Sequence, residues 1–358
     1  MIKTYTKYIV TTFIKSFLYV FLSMTSLGFL INLLSELDFF KNIEVDSYFP
    51  IYLSLLNTPT ITFEMFTFIF LIATQFFFIK LFNNSEIKTF KYSGLKNEKI
   101  LKILATTTFL IGLFIIAIFY NFSSNLKNFY LLQKSNYTQD DKYLAVITKN
   151  GLWIKDYVNN NNLIINANKI EKNYLIDTFI TEFDSQFNIL KNIKSKNINI
   201  ENFIWELNEV EIFQNNTKEK LSTMTLNSNF DYLKIKSLFS NLSSLSFFEL
   251  YELKNNYKTL NYSTTEVDIQ IHKIISSPFY FVIVTILSSL IMFNSKKFSG
   301  MFAKIAIGLF LSVIIYYINN FFHVLGNSEK IHFLISIWAP IIILSFINIT
   351  MLRNINEK

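Results

Sequence analysis

"NNSEIKTFKYSGLKNEKI", Asn83 to Ile100, is a basic, partly apolar stretch between two long apolar runs. It carries Lys88, Lys91, Lys96 and Lys99 against Glu86 and Glu98, and it is longer than a connection between two membrane helices requires. Ser85 after two asparagines suits an N-cap, and Glu86 in the first turn suits the positive end of the helix dipole. With Gly94 as a C-terminal stop, the spacing predicts a helix of about two turns carrying Ile87, Phe90 and Tyr92. Asn97 is then placed to cap the next helix. Such a short helix is marginal alone. Two supports fit its exposed Ile and Phe: a groove on another protein, or the lipid headgroups beneath an interfacial amphipathic helix.

The flanking runs set the fold. Crossing a bilayer takes about 20 residues of helix at about 1.5 Å each. Six runs qualify, at Tyr8 to Leu37, Ile51 to Phe82, Ile100 to Phe122, Ile274 to Phe293, Met301 to Leu325 and Ile331 to Leu352. Composition agrees: 51% of the 358 residues are hydrophobic, 40 are Phe, and the mean hydropathy is +0.32, values of a chain whose bulk lies in lipid. Lys3 and Lys7 precede the first run as in a signal peptide, but its apolar body is too long for one and no small-residue cleavage site follows, so it reads as a retained span. At about 45 Å of helix it outreaches the hydrocarbon core, which lets it tilt or protrude.

The formal net charge is +7 and Arg353 is the sole arginine. Lysine placement explains that excess as membrane topology, not as a nucleic-acid surface. Lys3 and Lys7, the six lysines from Lys80 to Lys102, Lys296, Lys297 and Lys304, and finally Arg353 and Lys358 fall on one side of the six runs, whereas the opposite short loops hold Lys41 and Lys330. Both termini are therefore expected in the cytoplasm, with the insert from Ser123 to Lys273 facing out.

Within that insert, "NINIENFIWELNEVEIF" (Asn197 to Phe213) and "NLIINANKI" (Asn162 to Ile170) alternate apolar and polar residues, as half-buried strands do, and Asn-rich clusters supply turns. An antiparallel sandwich or open jelly roll follows. From Ser240 to Tyr257 the period becomes helical and returns the chain to the membrane. The expected fold is an α-helical membrane protein with six transmembrane helices and an inserted all-β, jelly-roll-like domain on the outward side, the periplasmic side by the resemblance described below. Its parts are residues 1–122 with the short helix at 85–94, residues 123–273 with the return helix, and residues 274–358.

Several chemistries lack their residues. No G-x-x-x-x-G-K-[ST] loop cradles a phosphate, no G-x-S-x-G is present, and His272, His323 and His332 lack the spacing of a metal site. Cysteine is absent, so disulfides and thiolate sites are excluded. The short cytoplasmic pieces leave no room for a signalling output domain, so any action inside the cell requires a docked partner.

The opening stretch resembles the S-E-[LI]-x-x-[ML]-x-[AY]-[SC]-G element of the lipopolysaccharide export permeases, the LptF/LptG family of the Lpt ABC transporter. "GLWIKD" (Gly151 to Asp156) is similar to the opening of the outward β-domain in the G-type subunit, and Phe183 to Phe213 follows the family's strand pattern. Leu245 to Pro278 resembles its return segment, with Pro278 entering the fourth span, and "YYINNFFHVLGNSEKIHFLISIWAP" (Tyr316 to Pro340) its last spans.

The resemblance implies a transport subunit rather than an enzyme, with no cofactor of its own; ATP and Mg would be handled by a cytoplasmic LptB-type ATPase dimer. It also implies a sister LptF-type permease, an LptC-type membrane protein, a periplasmic bridge, lipopolysaccharide as cargo, and the bacterial inner membrane as location. By the same resemblance the short helix is a coupling helix in a groove of the ATPase: Glu86 would make a polar contact, Ile87 and Phe90 would fill the groove, Ser85 and Ser93 would flank it, and Gly94 would end it. The substrate would enter between the first and fifth spans of opposing subunits, past Glu36, Asp38 and Lys41 and past Asn319, Asn320 and His323. Anionic phosphates beside Glu36 and Asp38 would call for more cations than Lys41. That departure implies a different headgroup, metal-bridged contacts, or phosphate recognition by the sister subunit. Phe63, Phe66, Phe68, Phe70, Phe76, Phe77 and Phe78 in the second span would face either the cargo or lipid. An F-type subunit, or a non-transporting scaffold that presents its β-domain, are the alternative readings.

Overall fold

The computed structural model describes residues 3–137, 152–158, 160–171, 173–214, 217–232, 234–235, 241–259, 262–293 and 301–356. Gly151, Ser240, Lys296, Lys297 and Lys358, used in the reading above, lie outside them. The chain forms two compact units, residues 1–127 with 264–358, and residues 128–263.

The first unit is helical. Its helices are α1 (Thr4–Phe39), α2 (Phe49–Asn83), α3 (Glu86–Tyr92), α4 (Asn97–Phe114), a π-helical turn Ile115–Tyr120 that continues into α5 (Asn121–Ser135), then α7 (Thr265–Phe293), α8 (Met301–Asn327) and α9 (Phe333–Asn356). Among the described residues six helices are long and apolar enough to span a membrane. They make the chain a multi-pass membrane protein.

Two spans extend well beyond their apolar runs. The third continues past Phe122 to Ser135, and the fourth begins at Thr265, well before Ile274. Hydropathy marks only the part of a helix that wants lipid, whereas the backbone continues through polar turns. At the start of α7, Asp268 N donates to Thr264 O at 2.8 Å and Thr264 Oγ1 donates to Asp268 Oδ2 at 2.8 Å, which ties down that polar first turn. Pro278 accordingly lies inside α7 rather than at its entrance. Gly112 of α4 packs there, since a Cβ at Gly112 would come within 3.0 Å of Pro278 Cα.

The phenylalanines of α2 mostly face neither lipid nor cargo. Phe66, Phe70, Phe77 and Phe78 are buried inside the unit. Phe70 lies between Phe17 of α1 and Phe281 of α7, with ring centroids 4.8 Å from each. Rings that interlock in this way hold helices together in a solvent where burial of apolar surface supplies little driving force.

Gly326 near the end of α8 serves close approach to α9: a Cβ there would lie 2.6 Å from Ser336 Cβ. Gly326→Ala is therefore expected to destabilise the helical unit by about 1–3 kcal/mol through overpacking. A lowered melting temperature in detergent would show it, and an unchanged one would mean that the helices part freely at this point.

In the second unit, β1 (Leu152–Val158), β2 (Asn161–Glu171), β3 (Tyr174–Phe183), β4 (Ile189–Asn199), β5 (Ile204–Gln214) and β6 (Thr217–Asn227) form one antiparallel sheet in sequence order. A 3₁₀ turn at Leu242–Ser244 and helix α6 (Phe247–Thr259) follow. The all-β antiparallel character is as expected, with a meander in a single sheet where the sequence suggested a sandwich or open jelly roll.

The reason is visible in the inward positions. Leu175 is followed by Thr178 and Ile180, and Trp205 and Leu207 by Val210, so the period of two slips once in each strand. The slips fall at Asp177 and Glu209, which are non-glycine residues with left-handed φ of 50° and 52°. Ala167 with Ile170 and Ser195 with Ile198 show the same step in β2 and β4, so the switch of face runs across four paired strands. At the β6 edge, Lys218 and Lys220 bond Glu211 at 2.9 and 3.1 Å and hold its carboxyl below the usual carboxylate range. Lysines on an edge strand discourage unwanted pairing.

Candidate functional site

Helix α3 starts differently from its sequence signature. Ser85 stands in the left-handed region at φ 56° and its side chain makes no capping bond. That conformation turns the chain after α2, and the lack of a bond from the Ser85 hydroxyl to the helix start corrects its reading as a capping side chain. Glu86 takes over the polar work of the turn. Its Oε1 accepts from Tyr8 Oη at 2.7 Å and from Asn84 Nδ2 at 2.9 Å.

The helix ends as the sequence suggests. Gly94 has φ 74°, Gly94 N donates to Lys91 O at 3.0 Å, and Leu95 N donates to Phe90 O at 2.9 Å. These are the two bonds of a Schellman stop, which needs a residue without Cβ strain at this place. Leu95 is buried and Phe90 packs against the helical core, supplying the apolar contact that accompanies such a stop.

The exposed Ile and Phe expected on this helix are not found. Ile87 is 7% exposed and belongs to the chain's own core, and Phe90 is half-buried, meeting the Tyr8 ring edge-on at 6.3 Å. A short helix on a membrane protein uses its apolar side to anchor itself, which leaves the opposite side for solvent or a partner. That outer side carries Lys88, Lys91 and Tyr92, with Tyr92 89% exposed, and Ser93 is exposed beside them. Tyr92 was not singled out as an interface residue. Its signal was the helical spacing, which places it away from Ile87 and Phe90.

At the far end of α1, Glu36, Asp38 and Lys41 are not brought together. Glu36 is 1% exposed, whereas Asp38 and Lys41 are exposed. One turn before Glu36, Asn32 accepts from Asn57 Nδ2 at 2.9 Å, and Asn57 Oδ1 accepts from Lys127 Nζ at 2.7 Å. This buried polar chain fastens α1 to α2 and α5. The four-residue spacing of Asn32 and Glu36 puts both on one helix face.

Asn319, Asn320 and His323 do share a site. They line a cavity of about 320 Å³ bounded by α2, α7, α8 and α9, together with Glu64, Lys273 and Tyr280. The sequence reading passed over these last three residues. Glu64 carried a signal, since an ionisable residue in the middle of an apolar span points to function. Among the described residues no group of three or more His, Cys, Asp or Glu is arranged to hold a metal.

No curated protein matches the chain. A family model does match, described as lipopolysaccharide export system permease LptF/LptG, over residues 7–354. With nearly its whole length covered, six spans in place and a β-sheet inserted between the third and fourth, this chain belongs to the LptF/LptG family of lipopolysaccharide export permeases.

Proposed function

We propose that the chain is the G-type permease subunit of an inner-membrane ABC transporter, paired with an F-type sister and driven by a cytoplasmic LptB-type ATPase dimer. Both termini lie in the cytoplasm and the β-domain lies in the periplasm, where an LptC-type protein and a periplasmic bridge receive the lipopolysaccharide. ATP and Mg belong to the ATPase. The observation that carries the reading is the build of α3: it is stopped by Gly94, anchored inward by Ile87 and tied to α1 through the Tyr8–Glu86 bond. Force on α3 then reaches the first span directly. Tyr92, Lys88 and Lys91 form the face that meets the ATPase. Glu86 and Phe90 hold α3 on α1, with Ser85 and Ser93 at its two ends. The cavity of Asn319, Asn320 and His323 lies on the substrate path, and the exposed Asp38 and Lys41 at the far end of α1 border that path. The G-type assignment rests on "GLWIKD".

Extraction of the tagged chain from native membranes in mild detergent, followed by mass spectrometry, tests this. A Walker-motif ATPase and a second six-span permease are expected to accompany it. Recovery of the chain alone, or with periplasmic proteins only, would favour a scaffold and overturn the transporter.

A further inference from the structure

Glu64 sits near the middle of α2, exposed toward the cavity, and Lys273 faces the same space from α7. A charge at that depth costs about 2.5–3.5 kcal/mol unless water or a partner meets it. Among the described residues no ion pair joins either group to another side chain. Tyr280 lies on the same face of α7 as Lys273 and is 7% exposed, and its hydroxyl is buried with no hydrogen-bond partner. An orphan hydroxyl costs about 1–3 kcal/mol. Three groups of complementary chemistry thus converge on one volume without satisfying one another.

Their charges define what satisfies all three. The cavity offers one carboxylate and one ammonium, with the neutral amides of Asn319 and Asn320 and the imidazole of His323 beside them. A headgroup carrying only phosphates would set negative charge against Glu64, and a purely cationic one would oppose Lys273, each on a membrane-spanning helix where an unpaired charge is costly. A headgroup with both signs leaves neither unpaired. We propose that this cavity receives a zwitterionic headgroup, with a phosphate meeting Lys273 and the Tyr280 hydroxyl and a free primary amine meeting Glu64. The proposal rests on the permease reading above and specifies the headgroup chemistry it recognises. That chemistry has two sources, an amine-substituted phosphate on the exported glycolipid and an ethanolamine phospholipid of the bilayer.

The test uses the full-length chain in its assembled complex, reconstituted in phosphatidylglycerol nanodiscs and followed by native mass spectrometry. Four probes are compared: phosphatidylethanolamine, its N-acetyl derivative, and lipopolysaccharide with and without phosphoethanolamine on its phosphates. The free-amine form of at least one lipid is expected to bind about tenfold better than its amine-blocked or amine-free counterpart, the weight of one charge-assisted hydrogen bond. A preference confined to lipopolysaccharide identifies cargo, and one confined to phosphatidylethanolamine identifies a bilayer lipid. Glu64→Gln should abolish the preference, and Lys273→Gln should weaken every phosphate-bearing probe. No preference in the wild type, no binding of any probe, an unchanged preference in Glu64→Gln, or loss of the sister permease from Glu64→Gln complexes would each overturn the proposal. ATP-driven release of lipopolysaccharide by the wild-type complex is measured alongside. Its absence would sink the permease reading, whether or not the amine preference holds.

Discussion

Tyr92→Asp is expected to lower lipopolysaccharide export, and ATPase retention on the purified permease, by about thirtyfold while leaving the chain folded. An aromatic side chain at the centre of a docking face commonly contributes about 2 kcal/mol or more to association, which is that factor in affinity. Tyr92 is 89% exposed, so its replacement removes no contact on which the chain's own packing depends. Ile87→Asp provides the contrast. Ile87 is 7% exposed and part of the core, and burying a carboxylate there without a partner destabilises the chain itself. Tyr92→Asp should therefore keep the wild-type melting temperature and lose the ATPase, while Ile87→Asp should lose both. A Tyr92→Asp chain that still co-purifies its ATPase and still exports would place the docking face elsewhere and leave α3 as a packing element.

The Tyr8–Glu86 bond adds a mechanical consequence. In the proposed transporter, α1 borders the route by which cargo enters sideways, and α3 is where the ATPase pushes. A 2.7 Å bond and a ring contact between Tyr8 and Phe90 join the two directly. Movement of α3 need not travel through the whole bundle to reach α1. At the far end, the Asn32–Asn57–Lys127 chain fastens α1 to its neighbours. The first span is thus tied by polar bonds near both ends as well as by the Phe17–Phe70 contact between them.

The six spans were legible because hydropathy over about 20 residues is a strong signal set by bilayer thickness. Gly94 was legible for a different reason: a left-handed stop has few solutions, and glycine is the commonest. Ser85 misled because the N-cap signature is chemical, whereas its left-handed backbone is imposed by the turn from α2. Ile87 misled because a two-turn helix has too few residues for its buried face to be read from periodicity. In the β-domain, alternation located strands but not their switch of face, because Asp177 and Glu209 adopt φ values that local sequence does not demand. Glu64, Lys273 and Tyr280 lie on two helices far apart in the chain, so the cavity became visible only when α2 was packed against α7.

Trp205→Ala is expected to unfold the β-domain while the helical bundle stays intact. Trp205 is fully buried on β5, and its Nε1 donates to Phe230 O at 2.7 Å, which ties the sheet to the segment after β6. Truncating a buried Trp typically costs about 3–5 kcal/mol, and the stranded Phe230 carbonyl adds to that penalty. A domain of this size has about 5–15 kcal/mol in total. Nearby, buried Asp156 accepts from Ser228 Oγ at 2.7 Å and from Asn229 Nδ2 at 2.8 Å. Loss of the Phe230 anchor loosens that segment and exposes a carboxylate whose partners no longer hold their places. Because the chain divides into two compact units, hydrogen exchange in the full-length protein should show β1 to β6 losing protection while α1, α2 and α7 keep theirs. In the proposed transporter export should cease even though the ATPase remains bound, since there the β-domain serves only the periplasmic stage. If α2 and α7 lost protection together with the strands, the two units would fold as one, and a defect in this variant could not be assigned to the β-domain.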